Sequence, residues 1–170
     1  MEHLITPSEV VNSGRPLNPS IKENQLLAYI CEAEQLNVKP VLGDRLFLDI
    51  LEHGEDNEKY QVLLAGGTYS ASDGNIYSFV GLKTCLSYFV FAKTVMVGDF
   101  QVTRFGTVLK DSDFSSHISS KERSDCYNDT LEVANGYLSD CIRYCRHVGI
   151  LPAISGHQRS TGGIRIRKLG

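Results

Sequence analysis

Apolar residues recur every three or four positions in several stretches of the chain, and this spacing predicts α-helices. In the first stretch Leu26 and Ile30 belong to the apolar face, while glutamates lie on the other side. Ser20 and Glu23 have the spacing of a capping box, in which each side chain satisfies an unpaired backbone amide of the first turn. The first helix is therefore predicted to begin near Ser20 and to end near Asn37.

The next two predicted helices are shorter and are bounded by residues that start or stop helices. Pro40 suits the first turn of a second helix, which is predicted to end at Gly54. Asp56 and Asn57 are candidate N-caps of a short third helix, and the Gly66-Gly67 pair stops it. Both helices are expected to pack one apolar face against the rest of the domain.

The fourth predicted helix, from about Ser78 to Val97, is apolar on almost every side, which indicates a helix at the centre of the fold. Its length of roughly 20 residues is also that of a membrane span. Lys83, Lys93 and several hydroxyl side chains argue against a membrane location. We therefore expect this helix to be buried within protein, and we expect no membrane partner.

The last predicted helix is the longest. Ser119 and Glu122 form a second capping box, and the helix is predicted to end near His147 with Gly149 as its C-cap. About 28 residues with a rise of 1.5 Å each give a rod of roughly 42 Å, long enough for one end to reach a neighbouring molecule. The residues predicted to build the core of the domain are Tyr88, Phe89, Leu131 and Leu138.

Three segments lack a clear helical pattern. Residues 1–18 are predicted to be extended, because Pro7 and a second proline interrupt any helix there. Residues 68–77 are predicted to form a loop with a turn at residues 73–75. Residues 98–118 are rich in β-branched and aromatic side chains, so they are predicted to form either a β-hairpin or a long loop.

The pattern as a whole predicts a mainly α-helical, bundle-like domain of five helices with a long central helix, a long C-terminal helix and extended termini. The helical domain is predicted to span residues 19–153 and to carry the β-hairpin or loop excursion at 98–118. An N-terminal arm, residues 1–18, precedes it, and a basic C-terminal arm, residues 154–170, follows it.

Charge is distributed unevenly along the chain. The net charge is −3, but residues 155–170 contain four basic residues and no acid and so carry +4, which leaves −7 for the first 154 residues. Within the basic arm Ile164 and Ile166 alternate with Arg165 and Arg167. This alternation is typical of a strand that is added to the sheet of another chain, and a disordered tail is equally compatible with it.

Candidate chemistry centres on cysteine and histidine. Cys141 and Cys145 lie four residues apart on one helical face with His147 nearby, a spacing that allows them to share a metal ion. The two cysteines also continue the apolar stripe of the last helix, so core packing by reduced thiols is the favoured interpretation. The sequence contains no phosphate-binding glycine loop, no Gly-x-Ser-x-Gly motif and no His-Glu-x-x-His motif. We therefore predict a non-enzymatic protein without a cofactor or a bound metal.

Acidic residues cluster from the second predicted helix into the third. A solvated face is the simpler interpretation, because a calcium-binding loop requires a tighter pattern of oxygen ligands. The alternative is a negative surface that lines a passage for DNA, repels phosphate and lets a duplex slide. The cluster consists of Asp44, Asp49, Glu52, Glu55, Asp56 and Glu58.

Four short stretches of the sequence carry a resemblance to a known family of proteins. They are Leu26-Leu27-Ala28-Tyr29-Ile30-Cys31-Glu32-Ala33-Glu34, Val41-Leu42-Gly43-Asp44-Arg45-Leu46, Leu63-Leu64-Ala65-Gly66-Gly67-Thr68-Tyr69 and Gly81-Leu82-Lys83. They resemble the head–tail connector proteins of tailed bacteriophages, and the similarity is greatest to the neck ring proteins of crAss-like phages. The resemblance covers roughly residues 4–153, including the long last helix after a variable loop. It consists of an order of helices and short motifs rather than a catalytic signature.

The resemblance implies a structural subunit of a ring, commonly of twelve copies, that docks under the portal protein and contacts other neck or tail proteins. Such a ring extends the DNA channel of the virion, and DNA passes through it without sequence recognition. Assembly in the host cytoplasm is implied as well. The alternative function is a nucleic-acid-binding regulatory protein that uses the basic C-terminal arm. The residues predicted to contact other chains are Phe100, Phe105, Val108, Ile164, Arg165, Ile166, Arg167 and Lys168.

Overall fold

The structure, a computed structural model, describes residues 3–18, 21–97, 100–103, 106–109 and 119–152. It confirms the predicted fold class, a mainly α-helical domain with a long central helix and a long C-terminal helix. The predicted basic C-terminal arm, which begins at residue 154, lies outside the described residues. In chain order the elements are α1 (Pro7–Ser13), α2 (Glu23–Ala33), a π-helical turn (Glu34–Val38), α3 (Lys39–Leu42), α4 (Asp44–His53), α5 (Glu58–Ala65), β1 (Gly67–Ser70), β2 (Ile76–Phe79), α6 (Leu82–Val97), β3 (Phe100–Thr103), β4 (Gly106–Leu109) and α7 (Ser120–His147).

Helix α6 is the centre of the domain, as its apolar pattern predicts. It packs along α7 and also contacts α1, α2 and α5. Where α6 meets α7, the Cys85 thiol donates a hydrogen bond to the backbone carbonyl of Ala134 at 3.3 Å. Phe89 and Leu138 are buried, as predicted for core residues. The other two predicted core residues, Tyr88 and Leu131, are half-buried and pack against this core.

The prediction of an extended arm over residues 1–18 is wrong for residues 7–13, which form α1. Pro7 occupies the first turn of this helix, where its missing N–H costs no hydrogen bond, so it begins a helix rather than interrupting one. Thr6 and Glu9 form a capping box, in which the Thr6 N–H donates to the Glu9 carboxylate at 2.8 Å. Lys83 of α6 pairs with Glu9 at 2.5 Å, which fixes α1 to the central helix.

The first predicted helix does not end at Asn37, because α2 continues through the π-helical turn into α3. Proline has no N–H and cannot make an ordinary helical bond. Just before Pro40, the Lys39 N–H donates to the carbonyl of Glu34, five residues earlier. Pro40 thus lies within this continuous helical segment, and the second predicted helix begins at Asp44 instead.

The predicted start of the first helix near Ser20 is also wrong, because Glu23 is the first residue of α2 and Lys22 is its N-cap. The Lys22 side chain makes no capping hydrogen bond. Ser20, the other member of the predicted capping box, lies outside the described residues. The third predicted helix is present as α5, and its N-cap is Asn57, whose side chain accepts the Lys59 N–H at 3.0 Å. Local capping therefore sets the start of α5, while α2 begins without it.

Residues 68–77, predicted to be a loop, belong mainly to the antiparallel β1–β2 hairpin. Gly67 pairs with Phe79 and Ser70 pairs with Ile76. The predicted turn at residues 73–75 is present, and the Asp73 carboxylate accepts the Asn75 N–H at 3.0 Å. Because residues 76–79 belong to β2, α6 begins at Leu82 and not near Ser78.

The base of this hairpin brings two backbone segments into close contact at Gly66 and Gly81. Both glycines have positive φ angles, 86° and 88°, which side chains rarely adopt. A Cβ atom on either glycine would lie under 3.0 Å from backbone atoms of the other segment. The glycines therefore permit the end of α5 and the start of α6 to meet.

Of the two alternatives for residues 98–118, the structure has the β-hairpin pairing of residues 100–103 with residues 106–109, and the rest of this segment lies outside the described residues. Strands β3 and β4 are antiparallel, with Phe100 opposite Leu109 and Thr103 opposite Gly106. They form a sheet of their own, separate from β1–β2. Within the described part of the chain, β3 and β4 make extensive contacts with each other and none as extensive with another element.

The long C-terminal helix is as predicted, with 28 residues and a capping box at its start. The Ser119 N–H donates to the Glu122 carboxylate at 2.9 Å, and the Glu122 N–H donates to the Ser119 hydroxyl at 3.2 Å. At the other end Val148 is the C-cap, and Gly149, predicted for that position, follows it with a φ of 76°.

Replacing Gly81 with alanine should destabilise the fold, because the new Cβ would meet the backbone of residues 64–66 at a positive φ angle. We expect Gly81→Ala to lower the free energy of unfolding by about 2 kcal/mol or more. Denaturant titration followed by circular dichroism measures the change. The matched control is Gly136→Ala on the open surface of α7, which should raise stability by about 0.5–1 kcal/mol. Equal effects of the two substitutions would contradict the proposed close contact.

Stability should fall steeply in alkali because the core contains protonated thiols. Burial raises the pKa values of Cys141 and Cys145 from 9.0 to about 12, and it raises the pKa of Cys85 as well. Burial and a hydrogen bond to Asp49 raise the pKa of Tyr60 from 10.0 to about 12. The folded state keeps these protons while the unfolded state loses them, so the free energy of unfolding should decrease as pH rises from about 9 to 12.

Thermal unfolding across this pH range measures the slope, and Cys145→Ala should make it shallower because one titrating group is removed. The matched control is Val90→Ala, which also truncates a buried side chain of the core but removes no ionisable group. Val90→Ala should lower stability and keep the slope of the wild-type protein. A slope in Cys145→Ala as steep as in the wild type would show that this thiol is not responsible.

Candidate assembly surfaces

The residues predicted to contact other chains fall into two groups in the structure. Phe100 lies in β3 and Val108 lies in β4, where Val108 is paired with Gln101. Both therefore belong to the separate hairpin, and the backbone places them on neighbouring strands. The remaining six lie outside the described residues, and they are Phe105, Ile164, Arg165, Ile166, Arg167 and Lys168.

The candidate metal site does not assemble around Cys141, Cys145 and His147. Both cysteines are fully buried in the core, as the packing interpretation predicts. His147 is exposed at the end of α7, where its ring stacks on Tyr69 with the ring centroids 4.7 Å apart. Among the described residues, no group of three or more histidine, cysteine or acidic side chains is placed to hold a metal ion.

An aromatic cluster joins the β1–β2 hairpin to the end of α7. The Tyr69 ring lies 5.7 Å from that of Tyr77 and 5.5 Å from that of Tyr144, and the Phe79 ring stacks on Tyr144 at 4.8 Å. Together with His147 these rings hold the hairpin against the helix. Interpreting residues 68–77 as a loop missed this cluster. The signal in the sequence is the spacing of Tyr69, Tyr77 and Phe79 on either side of the turn.

Several large apolar side chains are exposed to solvent. Leu36 in the π-helical turn is 67% exposed, Leu48 in α4 is 59% exposed, and Ile76 in β2 is 75% exposed. Met96 and Val97, at the end of α6 just before the β3–β4 hairpin, are exposed as well. Exposed apolar side chains are candidates for contact with another molecule when they lie near one another.

The predicted acidic cluster is on the surface of α4 and α5, and some of its members already have partners. Asp44 pairs with Lys39 at 3.3 Å. Asp49 accepts a hydrogen bond from the Tyr60 hydroxyl and lies 3.3 Å from the His53 ring nitrogen. Within the described residues, the members that form no ion pair are Glu52, Glu55, Asp56 and Glu58, and all four are exposed.

Three of these free acids lie beside a groove of about 530 Å³ between the N-terminal segment and the end of α4. Its apolar lining residues are buried or half-buried, and the three acids are exposed. Lys83 also lines the groove, but it is paired with Glu9, so the unpaired acids give the groove a negative character. We call it the acidic groove, and its relevant lining residues are Leu27, Ile50, Leu51, Leu64, Glu52, Glu55 and Asp56.

The wall of the acidic groove formed by residues 3–7 is held in place by one buried carboxylate. Glu34 is only 2% exposed, and it accepts the Leu4 N–H at 2.6 Å and contacts the His3 ring nitrogen at 2.7 Å. A buried carboxylate with two such partners fixes the backbone that supplies them. This contact could not be predicted from the sequence, because its partners are some thirty residues apart.

A second groove, of about 480 Å³, lies where the described chain reaches its C-terminal end. Ile150 and Leu151 form one side of it, and Leu42 and Leu46 line it as well. In a search restricted to the described residues, no helix is both long enough and apolar enough to cross a membrane.

Comparison with known proteins gives one match. The model of the family described as "Family of unknown function (DUF6712)" matches residues 38–148, more than half of the chain, from the π-helical turn to the end of α7. No curated protein and no solved structure matches the chain. The chain therefore belongs to the Family of unknown function (DUF6712).

Proposed function

We propose that this protein is a structural subunit of a homo-oligomeric ring in the neck of a tailed bacteriophage, where it joins the portal to the tail and extends the DNA channel. Its action in this proposal is positional and involves no catalysis. The helices form a rigid wedge, and segments outside the wedge fasten it to neighbouring copies in a closed cyclic array. The resemblance of four sequence stretches to head–tail connector proteins supports this choice of assembly.

The observation that carries the proposal is the separate β3–β4 hairpin. A two-stranded hairpin by itself is marginally stable in water, and both of its edges present unpaired backbone groups. Within the described residues, the extensive contacts of β3 and β4 are with each other and not with the helices. A neighbouring molecule that pairs with an edge of this hairpin would add backbone hydrogen bonds that a two-stranded sheet does not supply by itself, which supports assembly through β3 and β4.

The exposed apolar side chains support assembly as well. Leu36, Val41 and Leu48 are exposed within one stretch of chain from the π-helical turn to α4. Met96 and Val97 are exposed where the chain enters β3. Burial of such side chains against another copy would stabilise an assembly by about 25 cal/mol for each Å² removed from water.

The acidic surface of the subunit is an argument that the proposed ring surrounds a channel for DNA. Glu52, Glu55, Asp56 and Glu58 are exposed and form no ion pair within the described part of the chain. A surface with this charge repels phosphate, so a duplex passes along it without binding tightly.

The basic arm is the observation that favours a second candidate, a nucleic-acid-binding regulatory protein. Its four basic residues at 155–170 suit contact with phosphate, while the rest of the chain is acidic. Filter binding to duplex DNA across salt concentrations separates the two candidates. A regulator that contacts phosphates gives a steep loss of affinity with salt, and a channel subunit gives weak binding throughout.

Deleting residues 155–170 should weaken assembly and leave the subunit folded, because all of the core residues of the described chain precede residue 152. We expect the concentration at which the oligomer forms to rise by about tenfold or more, which corresponds to at least 1.4 kcal/mol. Native mass spectrometry and sedimentation measure assembly, and the thermal unfolding temperature of the two proteins is the control for folding. Equal assembly by the truncated and full-length chains would show that the arm does not take part.

A further inference from the structure

We infer that the acidic groove binds residues 164–169 of a second copy of this chain, an inference that rests on the ring assembly proposed above. Each copy would then place its basic C-terminal segment in the groove of the next copy. In this contact the acidic groove is the receptor, and the basic C-terminal segment of another copy is the part that binds in it.

The apolar side chains in the lining of the groove suit the isoleucines of this segment. In an extended strand Ile164 and Ile166 point to one side, and Arg165 and Arg167 point to the other. The groove, of about 530 Å³, is lined by Leu27, Leu51 and Leu64 among other residues. That volume is within the range of pockets that bind ligands in proteins.

The charge of the groove suits the basic residues of the same segment. Glu52, Glu55 and Asp56 line the groove and are exposed, and within the described residues they form no ion pair. Arginine side chains are long and flexible enough to bend from the outward side of a strand toward acids at the opening. Paired with carboxylates there, they form charge-assisted hydrogen bonds.

The second groove is a weaker receptor for the same segment. Its acids, Asp44 and Asp49, already pair with Lys39, His53 and the Tyr60 hydroxyl. An incoming arginine would have to compete with these contacts. The acidic groove presents free carboxylates and therefore gains more from a basic partner.

The length of the chain allows the segment to reach another copy. The described chain ends at Pro152, and the twelve residues from there to Ile164 span up to about 40 Å when extended. Receptor and segment are different surfaces of one chain, so identical copies can join head to tail. Such heterologous contacts close into rings when the rotation between copies permits.

Charge reversal tests the contact in the full-length chain. The groove variant is Glu52→Lys with Glu55→Lys, and the arm variant is Arg165→Glu with Arg167→Glu. The matched control is Asp125→Lys with Glu132→Lys on the exposed face of α7, which changes the net charge by the same amount as the groove variant. Sedimentation over a range of concentrations measures the assembly of each protein.

We expect the groove and arm variants each to raise the concentration required for assembly by about tenfold or more, and the control to change it little. A chain that carries both reversals should assemble as the wild type does, because the charges are again complementary. If the wild type assembles and the groove variant assembles equally well, the contact is absent while the ring proposal stands. A wild type that stays monomeric would overturn both.

Mixing the groove and arm variants distinguishes contact between copies from folding back onto the same chain. In a mixed ring with alternating variants, each basic arm meets an acidic groove and each acidic arm meets a basic groove. Assembly should therefore recover in the equimolar mixture. Failure of the mixture to assemble, with recovery only in the chain that carries both reversals, would show that the arm occupies its own groove and would overturn the inference.

Discussion

The packing of α6 along α7 is the interaction on which the other elements depend. The two helices bury Cys85, Leu86 and Phe89 of one against Ala134 and Leu138 of the other. The central helix then supplies surfaces for α1, α2 and α5. Because burial of apolar side chains is the main stabilising contribution to folding, loss of this contact would leave the remaining short helices without a common core.

This arrangement separates a rigid interior from surfaces that lack internal partners. The core of the described chain includes side chains from Leu4 to Leu151, whereas the backbones of β3 and β4 make their extensive contacts with each other. The acidic groove lies on the rim of the same core, with one wall fixed by the contacts of buried Glu34. A rigid subunit whose strand edges have unpaired backbone groups is suited to assembly. Because its chain is already ordered, the entropic cost of binding a neighbour is small.

Local signals in the sequence predicted several elements but misplaced some helix ends, and features decided by distant contacts could not be predicted. The capping box of Ser119 and Glu122 and the apolar pattern of α6 are local, and both predicted their helices correctly. Pro7 misled the prediction because a proline that starts a helix and one that interrupts it look alike without the capping contact of Thr6. The contact between Glu34 and Leu4 depends on the tertiary fold, so the acidic groove could not be predicted. Its acids could be listed from the sequence, but the groove beside them could not.

The proposed ring depends on contacts in which each copy of this chain covers surfaces that are exposed on the next copy. Electron microscopy of the purified full-length protein at high concentration, with averaging of single particles, tests this most directly. We expect closed rings of uniform diameter with a central opening, in which the β3–β4 hairpin of each subunit contacts its neighbour. Particles no larger than one subunit, or assemblies without a central opening, would contradict it.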